Sequence, residues 1–277
     1  LFEGICMKQL LLILFTVSLA LSISCDTSSE SGSGGLDNTF NFGFREYYEA
    51  ENSIPVFGIS IATNEEFGCI NYRLVTSHKL RKNVLSISMD NVNIGDICLT
   101  AIGPATTFIP LDLDNGDYGL ELINGETTEY FLLDVSQEKV QVIRQDRNEF
   151  KLPSYTFETP FVKWYRYPKN SFALVGGTNT TNTHLYENFL AELKNNFSVS
   201  EFSFPQDAYI PYPREGSGHW VDFPASFFTY PTEEEFNRIG EFLIEYSSNN
   251  ITSGTGVGFS LTNWKNVRYL SWLHDRD

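Results

Sequence analysis

The sequence is short of the residues on which several functions depend. It has 19 basic side chains against 35 acidic ones, a formal charge of −16. A chain so poor in Lys and Arg cannot neutralise phosphates along a duplex, which argues against nucleic acid as a partner. It also has no polybasic cluster to attract anionic lipid. Its four histidines, His78, His184, His219 and His274, show no metal-ligand spacing and no HExxH, so no metal site is read from the sequence. No GxSxG elbow places a serine between strand and helix. Gly254, Gly256 and Gly258 follow an expected helix and enter an expected strand, the reverse of a phosphate cradle, so they read as a turn. No cofactor is implied. The one long apolar run, LLLILFTVSLALSI at 10–23, is shorter than the roughly 20 residues a membrane helix needs.

That run has another reading. Met7-Lys8 gives it a short positive start, and its length suits the apolar core of a signal peptide. Residues 1–6 lack this character and are expected to lie upstream of the true start. The run closes on Leu21-Ser22-Ile23-Ser24-Cys25. The stretch from Met7 to Cys25 resembles the lipobox of bacterial lipoproteins, in which small residues precede a cysteine that is lipidated and becomes the new N-terminus. It departs from the common pattern in placing Ser22 where leucine is usual, with Leu21 one residue further back. The resemblance implies cleavage after Ser24, lipid on Cys25, and attachment to the cell envelope, expected at the outer membrane. Several acyl chains on one cysteine would anchor stably, as a single chain does not. After Cys25, the sequence DTSSESGSGG at 26–35 reads as a flexible tether, expected to extend to 38.

Lipidation would leave Cys69 and Cys98 in the body, and an oxidising compartment permits a disulfide between them. Two free buried thiols are the alternative.

Residues 39–150 read as successive strands at close to 8–12 residue spacing, with no useful helical period. Asp114-Asn115-Gly116 and Asn124-Gly125 read as hairpin turns, and Tyr118, Leu120 and Leu122 alternate with Gly119 and Glu121. The expectation is an all-β, antiparallel, Ig-like sandwich. Residues 103–143, GPATTFIPLDLDNGDYGLELINGETTEYFLLDVSQEKVQVI, also resemble the closing strands of Ig-like modules at the front of many bacterial surface lipoproteins.

A boundary is expected near Leu152, and residues 153–277 change class. A short strand is expected at 161–167 and another at 172–175. A helix follows at 183–196, with Leu185, Phe189, Leu193 and Phe197 as its stripe. Thr232 and Glu235 form a capping box ahead of a second helix with Phe236, Ile239, Leu243 and Tyr246 buried. With strands between and after the helices, the order is β-α-β-β-α-β, an α+β domain of ferredoxin-like order.

Several residues present themselves as candidate sites. Asp112, Asp114 and Asp117 invite a calcium reading, but Gly116 and Ile123 fall where the loop would need other residues, so they read as a solvated turn. Ser217 and His219 are close in sequence but lack a visible oxyanion hole. The sequons at Asn179, Asn196 and Asn250 would carry little weight in a bacterial protein. Trp164, Trp264 and Trp272 are expected in the core. The loop at 205–224 is the most informative: Tyr209, Tyr212, Arg214, His219 and Trp220 combine exposed-type aromatics with polar groups, the surface on which sugar rings or peptides stack. The sequence therefore points to a non-catalytic binding or assembly role for a carbohydrate or protein ligand, attached to the membrane by an N-terminal lipid. A lipid-anchored hydrolase with its site in that loop is the alternative.

Overall fold

The computed structural model of the chain describes residues 35–50, 52–93, 98–145 and 155–273. Cys25, the tether up to residue 34, the expected boundary at Leu152 and His274 lie outside them. The described chain is mostly β, with a large curled mixed sheet followed by a second sheet that carries both described helices.

The first sheet contains β1 (Phe40–Tyr47), β2 (Val56–Phe67), β3 (Arg73–Arg81), β4 (Val84–Asn93), β5 (Gly103–Pro110), β6 (Gly116–Asn124), β7 (Thr127–Val135), β8 (Lys139–Gln145), β9 (Phe157–Glu158) and β10 (Lys163–Tyr165). Their order is β10-β8-β7-β6-β4-β3-β5-β2-β1-β9. Strict alternation builds its core. Phe40, Phe42 and Phe44 of β1, Leu120 and Leu122 of β6, and Phe131, Leu133 and Val135 of β7 point inward together. Each fully buried phenylalanine contributes about 1.5–3 kcal/mol by leaving water. The sheet curls until distant strands meet: the rings of Phe44 and Trp164, on β1 and β10, are 5.5 Å apart and edge-on.

Two expectations need correction. The sheet is mixed, because β4 and β6 run parallel, as do the short β1–β9 and β3–β5 pairings. Asp114-Asn115-Gly116 is no hairpin either: β5 pairs with β2 and β3, whereas β6 pairs with β4 and β7. Turn chemistry bends the chain but does not choose the partner, and here Leu111 and Leu113 pack on the core as the chain crosses over. At Asn124-Gly125 the hairpin does form, with Gly125 at φ 59° in the left-handed region. The Asn124 side chain also holds Leu36, accepting from its N–H at 2.7 Å and donating to its carbonyl at 2.8 Å.

Cys69 and Cys98 are joined by a disulfide, with Cα atoms 5.2 Å apart. It closes the base of the β3–β4 hairpin.

The pairing of the first sheet continues past the expected boundary, to Tyr165 of β10. The second sheet contains β11 (Ser171–Thr178), β12 (Ser200–Phe202), β14 (Ser226–Thr229), β15 (Gly258–Asn263) and β16 (Arg268–Leu270), in the order β12-β14-β11-β15-β16. β13 (Val221–Asp222) pairs with the end of β11. Neighbours are antiparallel throughout. α1 (Thr183–Asn196) joins β11 to β12, and α2 (Glu233–Asn250) joins β14 to β15, so each helix crosses over one intervening strand.

Both helices cover one face of this sheet. The buried stripe of α1 is Tyr186, Phe189 and Leu193, a slight rotation from the expected one, and Leu185 and Phe197 are only partly covered. In α2 the expected Phe236, Ile239, Leu243 and Tyr246 are buried. Thr232 caps α2 by accepting from the Glu235 N–H at 3.3 Å. The other half of the capping box differs: the Glu235 carboxylate accepts from the Ser198 N–H at 3.2 Å and from Arg238 at 2.7 Å. Tying α2 to the chain leaving α1 uses the carboxylate that a reciprocal cap would have used.

Polar groups join the two sheets. Glu46 at the end of β1 accepts from Arg166 Nε at 3.0 Å and from the Tyr167 N–H at 2.7 Å, and the Tyr48 hydroxyl donates to the Trp264 carbonyl at 2.8 Å.

Candidate functional site

The helices cover only one face of the second sheet, and the alternation of its strands decides what the other face presents. Phe172 and Leu174 of β11 and Phe259 and Leu261 of β15 point into the helix-covered core. Ala173, Val175 and Gly177 therefore point the other way, as do Gly258, Ser260 and Thr262. On β16, Arg268 and Leu270 lie opposite Thr262 and Ser260.

The loop after β12 covers part of this second face. Ile210 and Tyr212 pack over Ala173 and Phe227, with Phe202 and Phe204 beside them. The rest stays open as a groove with a polar floor. One end is a cavity of about 570 Å³ whose lining includes Glu46, Tyr48, Tyr167, Tyr212, Ser260 and Arg268. Thr262 and Asn266 line it too.

The tyrosines form a wall of rings. Tyr48 and Tyr167 have centroids 5.5 Å apart, and Tyr167 meets Tyr212 edge-on at 4.9 Å. Burial pushes the phenols of all three up from their ordinary range. The Tyr212 hydroxyl donates to the Ser171 carbonyl at 3.0 Å. Burial also raises the Glu46 carboxyl, against the pull of the Tyr167 N–H and of Arg166. The Asn263 side chain shapes the β15–β16 turn by accepting from the backbone of Lys265 and Val267, at 3.0 and 2.8 Å. Beyond that turn, Arg268 Nε donates to Asn266 Oδ1 at 3.0 Å, which fixes the guanidinium at the cavity.

The other end of the groove is aromatic and glycine-floored. Gly177 and Gly258 are direct partners across the sheet, and His219 lies over both. A Cβ on Gly258 would come within 3.1 Å of His219 Nε2 and 3.2 Å of Trp272 Cε3. His219 Nδ1 is 2.9 Å from Asp222 Oδ1, so the carboxylate orients the imidazole and leaves Nε2 toward the groove floor. Trp220 is 83% exposed and Trp272 45% exposed. Trp220 lies near Gly256 and Trp272 over Gly258, so both border this end of the groove. Between Gly258 and Thr262 the floor runs about 13 Å at the rise of an extended strand.

The expected loop residues separate into distinct roles. His219 and Trp220 are together at the glycine floor. Tyr212 is buried at the cavity end. Tyr209 and Arg214 hold the loop in place. Tyr209 exchanges backbone hydrogen bonds with Lys163 and Tyr165, and Arg214 donates to the carbonyls of Pro205 and Ala208. Trp164 and Trp264 are buried as expected, but Trp272 is not. It follows the end of β16 at the sheet edge, and its ring lies over Gly258 on the face away from the helices. Sequence reading also missed Ser260, Thr262 and Arg268. The signal for Ser260 and Thr262 was present as polar residues alternating with Phe259 and Leu261.

Among the described residues, no group of three or more His, Cys, Asp or Glu side chains could hold a metal ion. No described helix is long and apolar enough to cross a membrane. Comparison of the chain with protein-family models, with curated proteins and with solved structures finds no match.

Proposed function

We propose that this protein is a lipid-anchored cell-envelope protein that binds carbohydrate chains along the open face of its second sheet. The observation that carries this reading is Trp220, a large aromatic side chain left 83% exposed at the rim of a polar-floored groove. Exposed indole faces stack on the C–H faces of sugar rings, and hydroxyl-bearing floors such as Ser260 and Thr262 exchange hydrogen bonds with sugar hydroxyls. Lipid on Cys25 and the tether behind it would hold the body near the membrane, expected at the outer membrane. In this reading the first sheet is an Ig-like module and the second a ferredoxin-like α+β unit. The antiparallel order β12-β14-β11-β15, with each helix crossing one strand, supports the second assignment.

Affinity electrophoresis of the full chain through gels containing neutral and acidic polysaccharides tests the reading. Retardation by at least one polymer is expected, and none by any of them would remove it. Anchorage is tested separately: Cys25→Ala should shift the protein from the detergent phase to the aqueous phase.

A lipid-anchored hydrolase is the second reading, and the His219–Asp222 pair favours it. An imidazole oriented through Nδ1 keeps Nε2 for general acid–base work. Polymer cleavage that His219→Ala abolishes would select this reading over simple binding.

A further inference from the structure

We infer that the cavity end of the groove takes a carboxylate-bearing sugar, a uronic acid residue of an acidic glycan, on Arg268. The inference rests on the carbohydrate reading of the groove and names its ligand class.

The chain carries a formal charge of −16, so its surface as a whole repels an acidic polymer. An acidic ligand therefore needs a local cation. Among the described residues lining the cavity, Arg268 is the cation and Glu46 the acid. Glu46 is already committed to the Arg166 ion pair, at 3.0 Å, and to the Tyr167 N–H. Its charge is balanced by Arg166, which does not line the cavity, so that among the described lining residues Arg268 is the uncompensated charge.

Arg268 is also positioned. It sits opposite Thr262 in the β15–β16 ladder, and its Nε is tied to Asn266. A guanidinium has five N–H donors. With Nε engaged, the two terminal nitrogens form an exposed edge that matches the two oxygens of a carboxylate.

The surrounding groups suit a ring rather than a small free acid. The Tyr48 hydroxyl is spent on the Trp264 carbonyl, and that of Tyr212 on Ser171. Half-buried Tyr48 and Tyr167 therefore offer ring surface, with buried Tyr212 packed behind them, while Ser260 and Thr262 offer hydroxyls. A sugar ring with a carboxylate at one corner uses all three features. The same floor continues to Trp272 and Trp220, so further sugars of the chain extend toward the tryptophan end.

The test compares uronate polymers of different linkage, polygalacturonate, alginate and hyaluronan, each beside its methyl-esterified form, by affinity electrophoresis and calorimetry on the full chain. Esterification keeps the ring and removes the charge. At least one acidic polymer should bind about tenfold or more tightly than its ester, since a charge-assisted contact is lost. Arg268→Gln should erase most of that preference, weakening the acid form far more than the ester, and Arg268→Lys should keep part of it. Circular dichroism confirms that both variants fold. Equal binding of acid and ester, a preference that survives Arg268→Gln, or binding of neutral glucans alone would overturn the inference while leaving the carbohydrate reading intact. Binding of no polymer at all would overturn both.

Discussion

The side chain of His219 fills the space that a side chain on Gly177 would need. A Cβ built on Gly177 would lie 2.6 Å from both Cβ and Cγ of His219, and 2.5 Å from the Val221 carbonyl oxygen. Neither approach is tolerable, and the carbonyl belongs to the strand paired with the end of β11. Gly177→Ala should therefore destabilise the protein by about 1–3 kcal/mol, the usual cost of overpacking. Replacing His219 by alanine removes the Cγ contact alone, because alanine keeps the Cβ at 2.6 Å and the Val221 carbonyl stays at 2.5 Å. Urea midpoints for Gly177→Ala with and without His219→Ala should show partial rescue. Full rescue would mean that the backbone contact is unimportant.

The tyrosine wall predicts how stability falls in alkali. Burial is the main cause that raises Tyr212 well above its ordinary value of 10.0. Below about pH 10 the phenol is protonated in both states, and its contribution to stability is fully present. Above that pH the unfolded chain loses the proton while the folded chain keeps it. The folded state then binds more protons, and stability falls as pH rises. One such group gives a slope of up to about 1.4 kcal/mol per pH unit. Tyr212→Phe should remove that slope. Near neutral pH it should instead cost about 1 kcal/mol, because the Ser171 carbonyl loses its donor. Urea midpoints at about pH 7 and about pH 10.5 should thus show the variant weaker at the first and recovering at the second. A deficit that does not change with pH would contradict the assignment.

Strand β3 is the most weakly buried long strand of the first sheet: Leu74 is its one buried side chain. The Cys69–Cys98 bond closes a separation of 29 residues around it. In the chain-entropy account such a closure contributes roughly 3–4 kcal/mol. Replacing both cysteines by alanine should lower stability by about that amount. Amide exchange should also accelerate first in β3 and β4, ahead of β6 and β7, whose inward residues are buried. Uniform acceleration across the sheet would show that the bond acts on the whole molecule rather than on the hairpin.

What the sequence disclosed follows the range of the forces involved. The helices were legible because Phe189 and Leu193, and Phe236, Ile239 and Leu243, recur at helical spacing, and because Thr232 is a local cap. The strands of the first sheet were legible from alternation, but not their partners. The parallel β4–β6 pairing depends on how the whole sheet curls, and no local residue encodes it. The groove is a sharper case. It assembles Gly177, His219, Gly258 and Trp272 from four separate stretches, and only the Gly177–Gly258 register places them together. Trp272 reads as core because the sequence places it in a strand, yet it follows the edge strand β16 and its ring lies on the open face. Tyr212 looked like a ligand-facing aromatic, yet its hydroxyl is committed to Ser171. Composition identified the loop as aromatic, and tertiary packing divided its aromatics between support and exposed surface.

Trp220 gives the most direct separation of function from folding. A side chain that is 83% exposed contributes little to the core, so Trp220→Ala should change stability by no more than about 0.5 kcal/mol. If the indole is a stacking surface, the same change should cost about tenfold or more in affinity for the bound polysaccharide, because an aromatic anchor carries a large share of binding energy. Trp220→Phe should retain part of the affinity, since it keeps a flat ring in the same place. Trp272→Ala should weaken the same ligand but also cost some stability, because its ring packs over Gly258. The contrast between the two tryptophans is the informative measurement. A loss of affinity at Trp220 with an unchanged urea midpoint places the ligand on this face, and unchanged affinity in both variants removes the ligand from it.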